Sequence, residues 1–255
     1  MKRSIARVPE LEDARSGVPR TVAEAIYHRL REDIVWNRLP PNAALRSDEL
    51  RATYGVGVSP LREALSRLVA EHLVTTVGQK GFRVAPVTTE SVVDIMQTRL
   101  VIEREALMRS LRKGDIGWET EVVASYHVLS RVATPRGPGD DAESWGRHHR
   151  RFHMSLLSAC GSHWLLGIAE LLFDQAERHR AIRVRLVPRP NLNRDIATEH
   201  RKIFEAALAR DAKAALSALD RHYRKTADHV IAALGHVSSA SARTSLAGGR
   251  RAVRS

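Results

Sequence analysis

Histidine is the residue type in this chain with the most chemistry to offer. Twelve are present among 255 residues, and two of them stand four apart in the run His149-Arg150-Arg151-Phe152-His153. On a helix that spacing puts both rings on one face, with Cβ atoms roughly 5–6 Å apart. One helix thus aims two ring nitrogens at a common point, and a nitrogen-rich site suits Zn, Ni, Cu or Fe and not Mg or Ca. The run lacks the Glu of a His-Glu-x-x-His motif, and neither a Ser-His-Asp arrangement nor a Gly-rich phosphate loop is evident. The histidines are therefore expected to bind, and the chain is not expected to be an enzyme.

A second stretch, Gly55-Val-Gly-Val-Ser-Pro-Leu-Arg-Glu-Ala-Leu65, carries a different chemistry. Ser59 is a favoured N-cap and Pro60 suits a first helical position, so a helix is expected to begin there. Leu61, Ala64, Leu65, Leu68 and Val69 recur at threes and fours as an apolar face, while Ser59, Arg62, Glu63 and Ser66 fall opposite. Upstream, Ser47 to Tyr54 reads as a short helix ended by Gly55, and two short helices about a Gly turn make a helix-turn-helix. Downstream, Leu73–Val77 and Phe82–Ala85 are strand formers flanking Gly78-Gln79-Lys80-Gly81, a hairpin with a basic tip. A helix whose polar face carries Arg62, followed by a basic wing, is suited to duplex DNA.

The elements that position these residues divide the chain. Val22 to Trp36 has a helical apolar period at Val22, Ile26, Leu30 and Ile34 and is preceded by a flexible arm over residues 1–20. Pro86, Thr88 and Thr89 close a first domain over 21–87. From there to 235 the sequence reads as amphipathic helices: 90–113, 116–133, 143–160, 163–187, 192–210 and 212–234, separated by breaks such as Gly114-Asp115 and Pro188-Arg189-Pro190. The fold class expected is mostly α, a winged helix-turn-helix with a small β wing followed by an all-helical bundle. Residues 236–255, rich in Ser, Ala, Gly and Arg, read as a disordered basic tail.

Composition supports this division without deciding it. The net charge of +12 favours a polyanionic partner, but the excess of Lys and Arg is spread over both domains, and the last 20 residues add four Arg and no acid. No run approaches 18 apolar residues and the N-terminus lacks a signal-peptide core, so no membrane role is expected. The single cysteine, Cys160, excludes an intramolecular disulfide, fits a reducing cytoplasm, and reads as buried and inert.

Residues 22–86 resemble the winged helix-turn-helix of GntR-type bacterial regulators, in the Leu39-Pro40-Pro41 segment and the Pro-x-Arg-Glu-Ala-Leu core. The resemblance implies operator contacts from Ser59, Arg62, Gln79 and Lys80. Many members carry Arg where this chain has Val58, which implies a different operator. The helices that follow resemble the FCD-type effector domain of the FadR branch, in Arg99-x-x-x-Glu103, Phe152-His153, Glu199-His200-x-x-Ile203, Ala209-Arg210-Asp211 and His222. In that domain an Asp-x-x-x-His pair and two later histidines commonly hold a divalent metal, which implies a set of His149, His153, His200 and His222, with His149 in place of the Asp. Three readings stay open: four ligands to a transition metal such as Zn or Ni, a polar pocket binding an anion without metal, or four separately satisfied rings.

The resemblance also makes Arg99 the candidate clamp for an effector carboxylate, against a plain ion pair with Glu103. Arg178, Arg180, Arg183 and Arg185 read as a basic solvated face, and His148, His163 and His179 as surface or supporting residues. A closer resemblance, in Tyr54–Leu65, Gln79–Val84, the histidine pair and Cys160–Leu166, is to glutarate-responsive repressors, which implies a small dicarboxylate. The expected whole is a cytoplasmic, nucleoid-associated homodimer on a near-palindromic operator, released by a small carboxylate. The rival from another class is a metalloenzyme, which the missing catalytic motifs disfavour, and a third reading is an architectural DNA-binding protein whose second domain only dimerises.

Overall fold

The computed structural model describes residues 21–78, 81–137, 140–186 and 194–249, with side chains placed as far as 184 in the third stretch and 235 in the last. The wing-tip residues Gln79 and Lys80 and the arm over 1–20 lie outside the described residues. The chain forms two compact units, residues 1–86 and 87–255.

In the first unit, α1 (Val22–Val35) starts at Thr21, whose hydroxyl accepts from the Glu24 amide at 3.1 Å. α2 (Ser47–Tyr54) ends at Gly55, which adopts φ 68°, ψ 39°; a residue without Cβ holds this left-handed conformation at no steric cost. α3 (Val58–Ala70) begins two residues earlier than the Ser59 cap anticipates. Gly57 is the N-cap, in extended conformation and with no side-chain cap, and its carbonyl receives the Leu61 amide at 3.4 Å. Pro60 still falls in the first turn, where a missing N–H leaves no bond unmade.

Leu61, Ala64, Leu65 and Leu68 are buried against Ile26, Leu30 and Ile34 of α1. Each fully buried leucine contributes about 1.5–3 kcal/mol, so this face holds α3 in place and leaves its other face exposed. The wing is the hairpin of β2 (Val74–Val77) and β3 (Gly81–Val84), joined by the two-residue β1 (Ala44–Leu45) in the antiparallel order β1-β3-β2. Two residues are too few to show an alternating pattern, so β1 is not visible in the sequence.

The second unit is helical throughout its described residues: α4 (Thr89–Lys113), α5 (Ile116–Arg131), α6 (Ala142–Leu157), a 3-10 turn over Ser158–Cys160, α7 (His163–Leu186), α8 (Ile196–Leu208) and α9 (Ala212–Gly249). Thr88 and Ser91 make a reciprocal capping box on α4, and the side chains of Asp115, Asp141 and Asp195 cap α5, α6 and α8. α9 runs past the tail boundary expected at residue 236. Its extension has no proline, contains Ala240, Ala242 and Ala247, and meets its first glycine pair at Gly248-Gly249. The core joins Leu107, Leu111, Trp118, Phe152, Leu156, Ile203 and Leu219 from α4, α5, α6, α8 and α9, and Cys160 is buried and free as expected.

The joint between α4 and α5 is tight. Arg210 donates to the carbonyls of Leu111 and Gly114, both at 2.7 Å, satisfying acceptors that the end of α4 leaves open, and pairs with Glu119 at 2.5 Å. A Cβ added at Gly114 would lie 2.5 Å from two ring carbons of Trp118 and 2.8 Å from the Ser110 carbonyl. Gly114→Ala should therefore cost about 1–3 kcal/mol through overpacking. The effect is measurable as a lower thermal midpoint with helical circular dichroism retained; an unchanged midpoint would show that the joint yields freely.

Candidate functional site

α6 presents His149 and His153 one turn apart, in a helix whose buried face also contains Trp145, Phe152 and Leu156. α8 adds His200 beside Ile203, and α9 adds His222 beside Tyr223; all four histidines are buried. One nitrogen from each lies within 4.8 Å of one from every other. The set implied by the family resemblance is thus gathered at one point.

The environment keeps the four rings uncharged. Burial pushes His149 down to about 3 and His222 to about 4, and it pushes His153 and His200 well below the ordinary imidazole value, with the neighbouring rings adding to the effect. Neutral imidazole is the form that ligates a metal, so little proton competition stands in the way.

Carboxylates orient the rings from behind. Glu199 Oε2 lies 2.8 Å from His222 Nδ1, and Glu177 Oε2 lies 3.6 Å from His149 Nδ1, beyond hydrogen-bond length. His153 Nδ1 is 3.3 Å from the Tyr223 hydroxyl, which donates in turn to Glu103. Burial raises the Glu177 carboxyl, but Arg180 beside it outweighs that and holds it at about 2. Burial likewise opposes ionisation of Glu199, yet its bonds to His222 and Arg194 keep it well below the usual carboxylate range. Such acceptors fix tautomer and ring orientation in metal sites.

The donor set fits a transition metal on its own geometry. His153 Nε2 and His200 Nε2 are 3.4 Å apart, and two nitrogens bound to one tetrahedral ion at 2.0–2.1 Å would be separated by about 3.4 Å. His149 Nε2 is buried with no hydrogen-bond partner, an arrangement costly for a polar atom unless a ligand satisfies it.

A cleft of about 510 Å³ opens beside the rings, lined by Arg99, Trp145, Phe173, Arg180, Arg183 and Arg194 among others. It is narrow, so it suits a small, slim ligand. Arg99 lines it, but its Nε donates to Glu103 Oε1 at 2.6 Å and its guanidinium lies 3.9 Å over the Tyr223 ring. Its guanidinium is therefore paired within the fold while also lining the cleft.

The solvated-face reading of α7 is overturned, because Arg178, Arg180 and Arg183 are all buried, as is His179; the side chain of Arg185 is outside the described residues. His163 is exposed and His148 half-buried. Sequence reasoning missed Glu177 on α7, Arg194 just before α8, and Trp145 one turn before His149, all close to the histidines. Trp145, four residues before His149 and stacked on its ring at 4.3 Å, was the one with a visible signal.

In the first unit Ser59 and Arg62 are exposed on α3. Val58 and Arg62 border a groove closed on its other side by Thr76, Gly78 and Phe82 of the hairpin. A basic side chain at the start of a helix beside a hairpin is the disposition by which such a helix enters a major groove.

Family models match both units: "Bacterial regulatory proteins, gntR family" over residues 22–84 and "FCD domain" over residues 94–225. A Paraburkholderia xenovorans protein described as an uncharacterized HTH-type transcriptional regulator, BphR, is 40% identical over 205 residues, spanning 80% of this chain and 82% of that one. The Escherichia coli HTH-type transcriptional repressor GlaR is 37% identical over 197 residues, 77% of this chain and 90% of that one. The solved structure of E. coli McbR/YncC shares the fold, with TM-score 0.67 at 17% identity over 82% of this chain and 97% of that chain.

The depressed histidines fix a pH dependence. Their folded values, about 3 for His149 and about 4 for His222, lie below the roughly 6.5 of an unfolded chain. Between these values the unfolded state binds protons that the folded state does not. Stability of the metal-free protein is therefore full above pH 6.5 and falls with acidification, by up to about 1.4 kcal/mol per pH unit per histidine. Urea unfolding at pH 7.5 and 5.0 should show this fall, with a smaller difference in His149→Gln; equal slopes in the two proteins would place His149 outside the buried set.

Proposed function

The chain belongs to the gntR family of bacterial regulatory proteins, with an FCD domain as its second unit, and on that premise we propose that it is a repressor released from its operator by a small carboxylate. The observation that supports this most is the convergence of four buried, neutral histidines beside an arginine-lined cleft, in a chain whose other unit is a winged helix-turn-helix. The name of the E. coli relative, a repressor, agrees with the sign of the regulation.

In this reading two copies bind a near-palindromic operator in the cytoplasm, each placing α3 in a major groove. Arg62, exposed near the start of α3, contacts the operator, Ser59 helps position the helix, and Gln79 and Lys80 approach from the wing. His149, His153, His200 and His222 hold a divalent transition metal such as Zn or Ni. A cation bound there would add two positive charges that the four neutral ligands do not cancel, and so would attract an anionic effector. Glu199, Glu177 and the Tyr223–Glu103 pair hold the rings in register, and the narrow cleft excludes bulky ligands. Effector binding relieves repression only by favouring one arrangement over the other; tenfold relief corresponds to about 1.4 kcal/mol of differential binding.

Metal content by mass spectrometry and operator binding with and without a panel of small carboxylates test the sensor half. About one metal per chain is expected in the wild type, lost in His153→Ala together with the carboxylate response. No metal with an intact response would make the histidines a metal-free anion site. Arg62→Ala tests the other half: operator affinity should fall by ten- to a hundredfold, equivalent to about 1.4–2.7 kcal/mol, with carboxylate binding unchanged. Undiminished operator affinity would remove α3 from the interface.

A further inference from the structure

The charges around the cleft cancel in pairs, with one left over. Glu103 is matched by Arg99, Glu177 by Arg180, and Glu199 by Arg194. Arg183 has no such match. It is only 5% exposed, its Nη1 is buried without a hydrogen-bond partner, and no described carboxylate pairs with it. The charged groups facing it are Arg180 and Arg194, and burial together with these cations pushes it down to about 10. The segment that follows α7, residues 187–193, contains no Asp or Glu that could supply a partner.

An uncompensated buried guanidinium is expensive, and this one is turned into the cleft. Phe173, Glu177, Arg180 and Arg183 recur on α7 at threes and fours and all line it. Glu177, at the His149 end, and Arg183 are six residues apart, about 9 Å along the helix axis, and an arginine side chain on a helix leans back toward the N-terminal turns. The cleft therefore has two cationic or cation-binding ends, the histidine cluster and Arg183, separated by about the length of a short carbon chain, with Trp145 and Phe173 as apolar walls on the histidine side.

We propose that Arg183 is the specificity residue of the effector site, binding the second carboxylate of a short α,ω-dicarboxylate whose first carboxylate lies at the histidine cluster. The inference rests on the carboxylate-sensor reading, for which resemblance already implies a small dicarboxylate, and adds to it the residue that selects such a ligand. A guanidinium meets a carboxylate through two parallel N–H···O bonds. A monocarboxylate would leave Arg183 buried and unpaired, so the site rejects it by the unmet charge and not by shape.

Isothermal titration of the purified full-length protein, at its measured metal content, would compare succinate, glutarate and adipate with propionate, butyrate and valerate, each dicarboxylate set against the acid lacking one terminal carboxylate. The wild type should bind at least one dicarboxylate roughly ten- to a hundredfold tighter than its partner acid, the range of a charged hydrogen bond. In Arg183→Met that preference should vanish, monocarboxylate affinity should stay within about threefold, and the unfolding temperature of the ligand-free protein should not fall, since a buried unpaired charge is removed. Arg183→Lys, which keeps the charge but loses the fork, should lose part of the preference and keeps the test readable if the methionine variant does not fold. Equal binding of both acid types by the wild type, or a preference surviving both substitutions, would overturn the role of Arg183 and leave the carboxylate sensor standing. No binding of any acid by the wild type would overturn the sensor reading itself.

Discussion

Burial of charge is the constraint on which the second unit depends. Among the described residues its interior accepts five imidazoles, three carboxylates and four guanidinium groups where an ordinary helical bundle has mostly aliphatic side chains. Such an interior is tolerable only if each charge finds a partner or is given up, and both solutions are present. The imidazoles are held neutral by desolvation, while Glu103, Glu177 and Glu199 stay close to arginines. The pairing in turn dictates the helix arrangement. Glu199 lies next to His200 on α8 yet orients His222 on α9, and Glu177 on α7 faces His149 on α6, so helix spacing and site geometry are set by the same contacts.

Pairing of this kind contributes specificity more than stability. Removing one member of a buried pair leaves an uncompensated charge, whereas replacing both by apolar groups is often neutral. The network therefore holds side chains in register around the cleft, and the leucine and aromatic core around Leu107, Phe152 and Leu156 supplies the hydrophobic term.

Much of this was legible before any coordinates. The apolar face of α3, the Gly55 turn and the spacing of His149 and His153 are local patterns, set by the helical period and by the conformational freedom of glycine, and a sequence displays them directly. His200 and His222 were reached only through family resemblance, since nothing local ties them to α6. The arginines of α7 were misread for a physical reason. Positions 178, 180, 183 and 185 distribute around a helix, which usually signals solvent on most sides, but α7 is enclosed on nearly every face from Ala181 to Val184, and Arg178, Arg180 and Arg183 are buried. The start of α3 falls two residues before the one its sequence suggests, because Ser59 is the stronger capping residue, whereas Gly57 has the extended backbone the cap requires.

The stacking of Trp145 on His149 has a consequence outside structure and energetics. Trp118 is buried away from the histidines with its indole N–H on the Ser155 carbonyl, and Trp164 is exposed. Trp145 alone among the described indoles shares a face with a ring of the cluster, with the Arg180 guanidinium 4.5 Å from its centre. Indole emission responds to nearby charge and to quenching groups, so the molecule contains its own optical reporter. Filling of the cleft is therefore expected to change the intrinsic fluorescence of the protein, without a dye or an attached label.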